Sequence, residues 1–173
     1  MEMQIQTVLM MGLAIALVGL LGVMVMRIPV EAQKPNPAGV QAALSQLAND
    51  SSALKTLTVT YDDMHGLHGG LTLTLCGDGR IVQRAVRTKV GQPKELVSES
   101  EMLRLVAMLV DITAWEQRIP DAMPVPDESR ALLNIVISGH TSTIWERYND
   151  LAKGQRIVRI RDLMKQLAWG QGG

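Results

Sequence analysis

The sequence predicts an α+β domain carried behind a single N-terminal transmembrane helix, and three observations point to it. Residues 7–26 read TVLMMGLAIALVGLLGVMVM, an uncharged run whose lone polar side chain is Thr7. Later stretches alternate apolar and hydroxyl residues with period two, the pattern of strands with one buried face. Others repeat apolar residues at steps of three and four, the pattern of helices with one buried stripe. After the anchor, the order strand-strand-strand-helix-strand-strand-helix gives an antiparallel sheet with two helices packed on one face.

The run 7–26 would rise about 30 Å as a helix, the thickness of a bilayer's hydrocarbon core. Residues 1–28 are therefore expected to form a retained anchor. A cleaved secretory signal is the rival reading, because Val30-Glu31-Ala32 offers small residues at a peptidase spacing. Against it, MEMQIQ holds no Lys or Arg and the apolar run outlasts a signal h-region. The nearby cations Arg27 and Lys34 both follow the span. That leans the domain toward the cytoplasmic side of the inner (plasma) membrane, with the periplasm as the alternative. Gly12, Ala16 and Gly19 share one helix face, where small residues let a second helix pack closely.

Residues 29–52 read as a linker with a short helix. Asn36-Pro37 supplies an N-cap and a proline at the first helical position, and Val40, Leu44 and Leu47 line one face. The α+β domain is expected over 53–173. Leu57, Val59 and Tyr61 alternate with threonines, as do Leu71, Leu73 and Leu75. Gly77-Asp78-Gly79 is a tight turn, with Arg80 to Val86 as the return strand. Ser98 and Glu101 have the spacing of a capping box. The helix that starts there, with Met102, Leu105, Val106, Leu109 and Ile112 inward, is expected to reach about Gln117. A proline-rich loop follows. A second hairpin over 131–138 and 141–148 turns at Gly139, and a closing helix over 155–169 buries Ile157, Ile160, Met164 and Leu167. With no Phe, the core falls to Leu, Ile, Val and Met.

Lys plus Arg and Asp plus Glu both number 17, a formal net charge of zero, which excludes a strongly basic nucleic-acid binder. Cys76 is the only cysteine, so no internal disulfide forms. No P-loop, nucleophile elbow or HExxH pattern occurs. The densest polar cluster holds Asp62, Asp63, His65 and His68, two imidazoles three residues apart beside two carboxylates, types that ligate divalent metals. Its alternative is a polar hairpin loop. The last helix carries Arg156, Arg159, Arg161 and Lys165, which suit contact with anionic lipid or a partner. The alternative there is a solvated face paired with Glu146 or Asp150.

The loop HGLHGG leading into LTLTL, the segment LVSESEMLRLVAML before Trp115 and the strand pair ending in a closing helix form a pattern over Leu57–Ala168. It resembles that of the bacterial emfourin-like domains. The resemblance implies a small α+β fold and, for some members, inhibition of thermolysin-like metallopeptidases. The leading expectation is a non-catalytic, single-pass accessory subunit. It would dock on and stabilise a larger membrane protein complex, as small subunits do in photosynthetic and respiratory assemblies. Its partners would be integral membrane proteins and the lipid bilayer, without cofactor, nucleic acid or small-molecule substrate. An anchored peptidase inhibitor presenting His65–Gly70 is the second expectation, and a metal-binding enzyme using His65 and His68 the third.

Overall fold

The computed structural model describes residues 34–47, 49–119, 128–147 and 156–170. In chain order these form α1 (Pro37–Leu47), a 3-10 helix (Ser51–Thr56), β1 (Thr58–Asp62), β2 (Gly70–Cys76), β3 (Ile81–Val86) and α2 (Glu99–Asp111). Then come β4 (Arg130–Ile137), β5 (His140–Arg147) and α3 (Arg156–Trp169).

The period-two segments become strands because each has one apolar row to bury. All five pair antiparallel in the order β3-β2-β1-β4-β5. Tyr61 on central β1 stands opposite Leu73 on one side and Leu133 on the other. This register aligns Val59, Tyr61, Leu73, Leu75, Leu133 and Ile135 on a single face, where all are fully buried. The other face is rich in hydroxyls. Thr60 and Thr74 meet at 2.9 Å, and Thr143 donates to Asn134 Oδ1 at 3.1 Å. The sheet ends at β3, where Val82 and Val86 lie exposed beside Arg84.

Among the described residues, three helices cover the buried face rather than the expected two. The additional one is α1, expected as part of a linker. Asn36 caps it, its Oδ1 accepting from Gly39 N at 3.0 Å, with Pro37 next in the first turn. Asn36 N also donates to Thr141 O at 2.7 Å, which fixes the helix start to β5. Val40, Leu44 and Leu47 then enter the common core beside α2 and β5, so the stripe packs inside the domain.

The membrane expectation is corrected here. Among the described residues no helix is long and apolar enough to cross a membrane. The longest, α3, has 14 residues and rises only about 21 Å, against roughly 30 Å of hydrocarbon. It also carries four cationic side chains. The anchor expected over 1–28 and its small-residue face at Gly12, Ala16 and Gly19 lie outside the described residues. The fold described is an α+β domain, and a single-pass inner-membrane protein finds no support in it.

The capping box forms as its spacing requires. Glu101 N donates to Ser98 Oγ at 3.3 Å, while Ser98 N donates to Glu101 Oε2 at 3.0 Å. The helix then stops at Asp111, six residues before the expected end. Thr113 adopts φ 49° and Ala114 N turns back to Leu109 O at 2.9 Å, closing the end without a glycine. Ala114 and Trp115 are thereby buried under the helices.

The Lys94 ammonium at 2.9 Å, together with Ser98 N, brings the Glu101 pKa from 4.5 down to about 2. A depressed carboxyl stabilises the fold above its ordinary pKa and loses that contribution as pH falls through the folded value. Glu101→Gln should therefore be less stable than wild type above pH 5. The gap in urea-unfolding free energy should shrink steadily between about pH 4.5 and 2. A gap that stays constant across that range refutes the assignment.

Candidate functional site

The most constrained polar structure is the loop joining β1 to β2, residues 63–69. Asp63 clamps its base. Its Oδ1 accepts from Leu71 N at 2.6 Å and its Oδ2 from the Tyr61 hydroxyl at 2.6 Å. Burial first, then Asp63, drives the Tyr61 pKa far above the ordinary phenol value, so the hydroxyl stays a donor. Asp62 Oδ1 accepts from Met64 N at 2.8 Å in a local Asx turn. Both carboxylates are thus engaged by the loop's own framework.

The tip is closed by a reciprocal pair, His65 N to Gly69 O at 2.8 Å and Gly69 N to His65 O at 2.9 Å. Gly69 has φ 76°, and a Cβ there would lie 2.0 Å from Val86 O. Glycine is required because the tip presses against the end of β3. From the next residue along β3, Arg87 donates its guanidinium to the Leu67 carbonyl. His65 Nδ1 accepts from Leu67 N at 3.3 Å. Both backbone groups of Leu67 are therefore tied, while its side chain is 64% exposed at the apex.

The His65 and His68 rings stack, with centroids 5.0 Å apart and planes 17° from parallel. In-plane nitrogen lone pairs of such rings run side by side instead of converging on one ion at about 2.0–2.1 Å. Among the described residues no group of three His, Cys, Asp or Glu side chains is placed to hold a metal. The expected quartet is close in sequence, yet its members point into different bonds. His140, the remaining histidine, meets Asn36 Nδ2 at 3.2 Å through its Nδ1.

The cationic residues expected as a lipid or partner contact on α3 separate into two classes. Arg156 is nearly buried. It faces Glu146 at 3.6 Å and donates Nη1 to the carbonyls of Thr113 at 3.1 Å and Glu116 at 3.0 Å. It acts as a structural strut between α3, β5 and the end of α2. Arg159 pairs with Asp111 at 3.1 Å on the surface. Arg161 and Lys165, one turn apart, instead face the β1–β2 loop. Together with Asp63, His65, His68, Thr88 and Ser129 they line an open cleft of about 420 Å³.

The local sequence patterns held no sign that His65 and Lys165 share one wall, since 100 residues separate them. Arg87 was likewise invisible as a loop tether. The clue available was the i, i+4 spacing of Arg161 and Lys165, two cations on one helix face without an acidic residue between them on that face. Glu128 braces Arg130 at 3.0 Å and Arg147 at 2.7 Å, and Arg130 lies 3.7 Å over the Trp145 ring. Cys76 ends β2 half-buried as a free thiol.

No family model, curated protein or solved structure matches this chain.

Proposed function

We propose that the domain is a non-catalytic protein-docking module whose contact element is the β1–β2 loop. The observation that carries this is Leu67. An exposed leucine normally loses entropy and gains little, but here its backbone is already fixed by His65 and Arg87. A pre-ordered apolar side chain on a projecting tip gives up little freedom on binding, as anchor residues of protein interfaces do.

The full chain bearing an affinity tag, expressed in its native cells, tests this by quantitative mass spectrometry. Wild type and a Val82→Asp control should recover the same partner in near-stoichiometric amount. Leu67→Asp should recover at least tenfold less, because a charge cannot enter an apolar pocket unpaired. Equal recovery by Leu67→Asp, or no partner at all, rejects the proposal.

A second reading follows from the same rigidity. A loop whose backbone is held by cross-bonds resists cleavage, which suits an inhibitor of thermolysin-like metallopeptidases and agrees with the emfourin-like sequence pattern. A Leu67-dependent block of such an enzyme in the same preparation favours this form of docking over assembly into a complex.

A further inference from the structure

We propose that the cleft between the β1–β2 loop and α3 binds the phosphoryl group of a small phosphorylated ligand. Its walls offer mostly donors. Lys165 is half-buried, and among the described residues no carboxylate lies within ion-pair distance of its ammonium. Its cationic contact is the Trp169 ring, 5.9 Å from Nζ to centroid. Burial, followed by repulsion from Arg161, lowers the Lys165 pKa, and the attraction of Asp63 and Asp162 offsets this only in part. Two cations held one turn apart and partly out of water are costly unless an anion joins them.

The acceptors already present serve that purpose only in part: Asp63 and Asp162 attract the Lys165 charge without an ion pair, and Asp162 pairs with Arg161. Both Asp63 oxygens accept from Tyr61 and Leu71. Asp162 pairs with the Arg161 guanidinium at 2.8 Å and is itself more than half exposed. A guanidinium has five N–H donors, so donors remain. Because His65 Nδ1 accepts from Leu67 N, the neutral ring carries its proton on Nε2 and is a donor as well. The Thr88 and Ser129 hydroxyls also line the cleft, and its one carboxylate among the described residues, Asp63, has each oxygen engaged by the loop base. Two cations, an imidazole donor and two hydroxyls match an oxyanion with three acceptor oxygens and two negative charges. A monocarboxylate would leave several of these donors unused, and a metal cation would meet Arg161 and Lys165 at close quarters. At about 420 Å³ the cleft admits a phosphoryl group with a small organic remainder.

Inorganic phosphate is the probe, added to the full chain at fixed pH with ionic strength held constant by sodium chloride. Calorimetry should show saturable binding. The Hε1 resonances of His65 and His68 should move together while that of His140 stays in place. Lys165→Gln and Arg161→Gln should each weaken binding about tenfold, the loss of one charge-assisted contact. Arg159→Gln, whose partner is Asp111, should bind like wild type. Lys165→Gln carries the test if Arg161→Gln proves unstable, since Lys165 makes no hydrogen bond within the described fold. Non-saturable binding, unchanged affinity in Lys165→Gln, or acetate binding as tightly as phosphate would each overturn the proposal. None of these readouts requires a protein partner, so the docking role of Leu67 stands or falls separately.

Discussion

Replacing Glu146 by Ala should lower the unfolding free energy by about 3–5 kcal/mol, the loss seen when one member of a buried ion pair is removed. Glu146 is 4% exposed, and the Arg156 side chain 12%. The carboxylate also accepts from Ile157 N at 3.3 Å, in the first turn of α3, where the helix dipole favours negative charge. Without it, the guanidinium keeps its carbonyl partners at the end of α2 but loses its counter-charge. Burial, then Arg118, already holds the Arg156 pKa below its ordinary value, a sign of how costly that charge is. Urea titration of the full chain measures the effect. The double variant Glu146→Leu with Arg156→Met should recover most of it, because an apolar pair leaves no stranded charge. A loss under about 1 kcal/mol in Glu146→Ala would mean that the pair contributes no more than a surface contact.

Gly77→Ala should be comparably damaging for a steric reason. Gly77 lies in the β2–β3 turn beneath the 3-10 helix, and its N donates to Leu57 O at 2.8 Å. A Cβ there would sit 1.6 Å from Leu54 O and 2.6 Å from Leu54 C. The obstruction is backbone, flanked by Leu54 and Leu57, both buried, so no side chain can swing aside to make room. Overpacking typically costs about 1–3 kcal/mol, and a backbone collision belongs at or above the upper end. A fall in Tm of roughly 10 °C is expected. Gly66→Ala is the matched control. Nothing lies within 4 Å of the added carbon there, so its Tm should hold or rise slightly. Equal behaviour of the two variants would show that the turn yields freely.

These two sites illustrate which parts of the structure can be read from sequence. The strands, the Gly77–Gly79 turn and the Ser98–Glu101 box depend on residues within a few positions of one another, and alternation or cap spacing reveals them. The premature end of α2 does not, because the residue adopting the left-handed conformation is Thr113, a type that rarely does so. The stripe on α1 is legible, but the surface it covers is not, since the bond from Asn36 to Thr141 joins residues 105 apart in sequence. In the candidate site, the sequence pattern points the histidine loop to metal ligation and the basic helix to lipid or partner contact, as separate features. Only the β-sheet register and the docking of α3 bring them to one cleft. The membrane expectation came from the uncharged run 7–26 alone, and no helix of the described domain has the length or apolar surface to span a bilayer.

The free edge at β3 bears on how copies of this chain meet in concentrated solution. Among the described residues no strand pairs with the outer side of β3, and an edge with exposed valines is a template for a second strand, the route by which sheets fuse into aggregates. Arg80 and Arg87 stand at its two ends, and Arg84 projects from its middle. Two such edges approaching antiparallel would set cation against cation at the ends and near the centre. The strand thus discourages pairing with its own kind by charge.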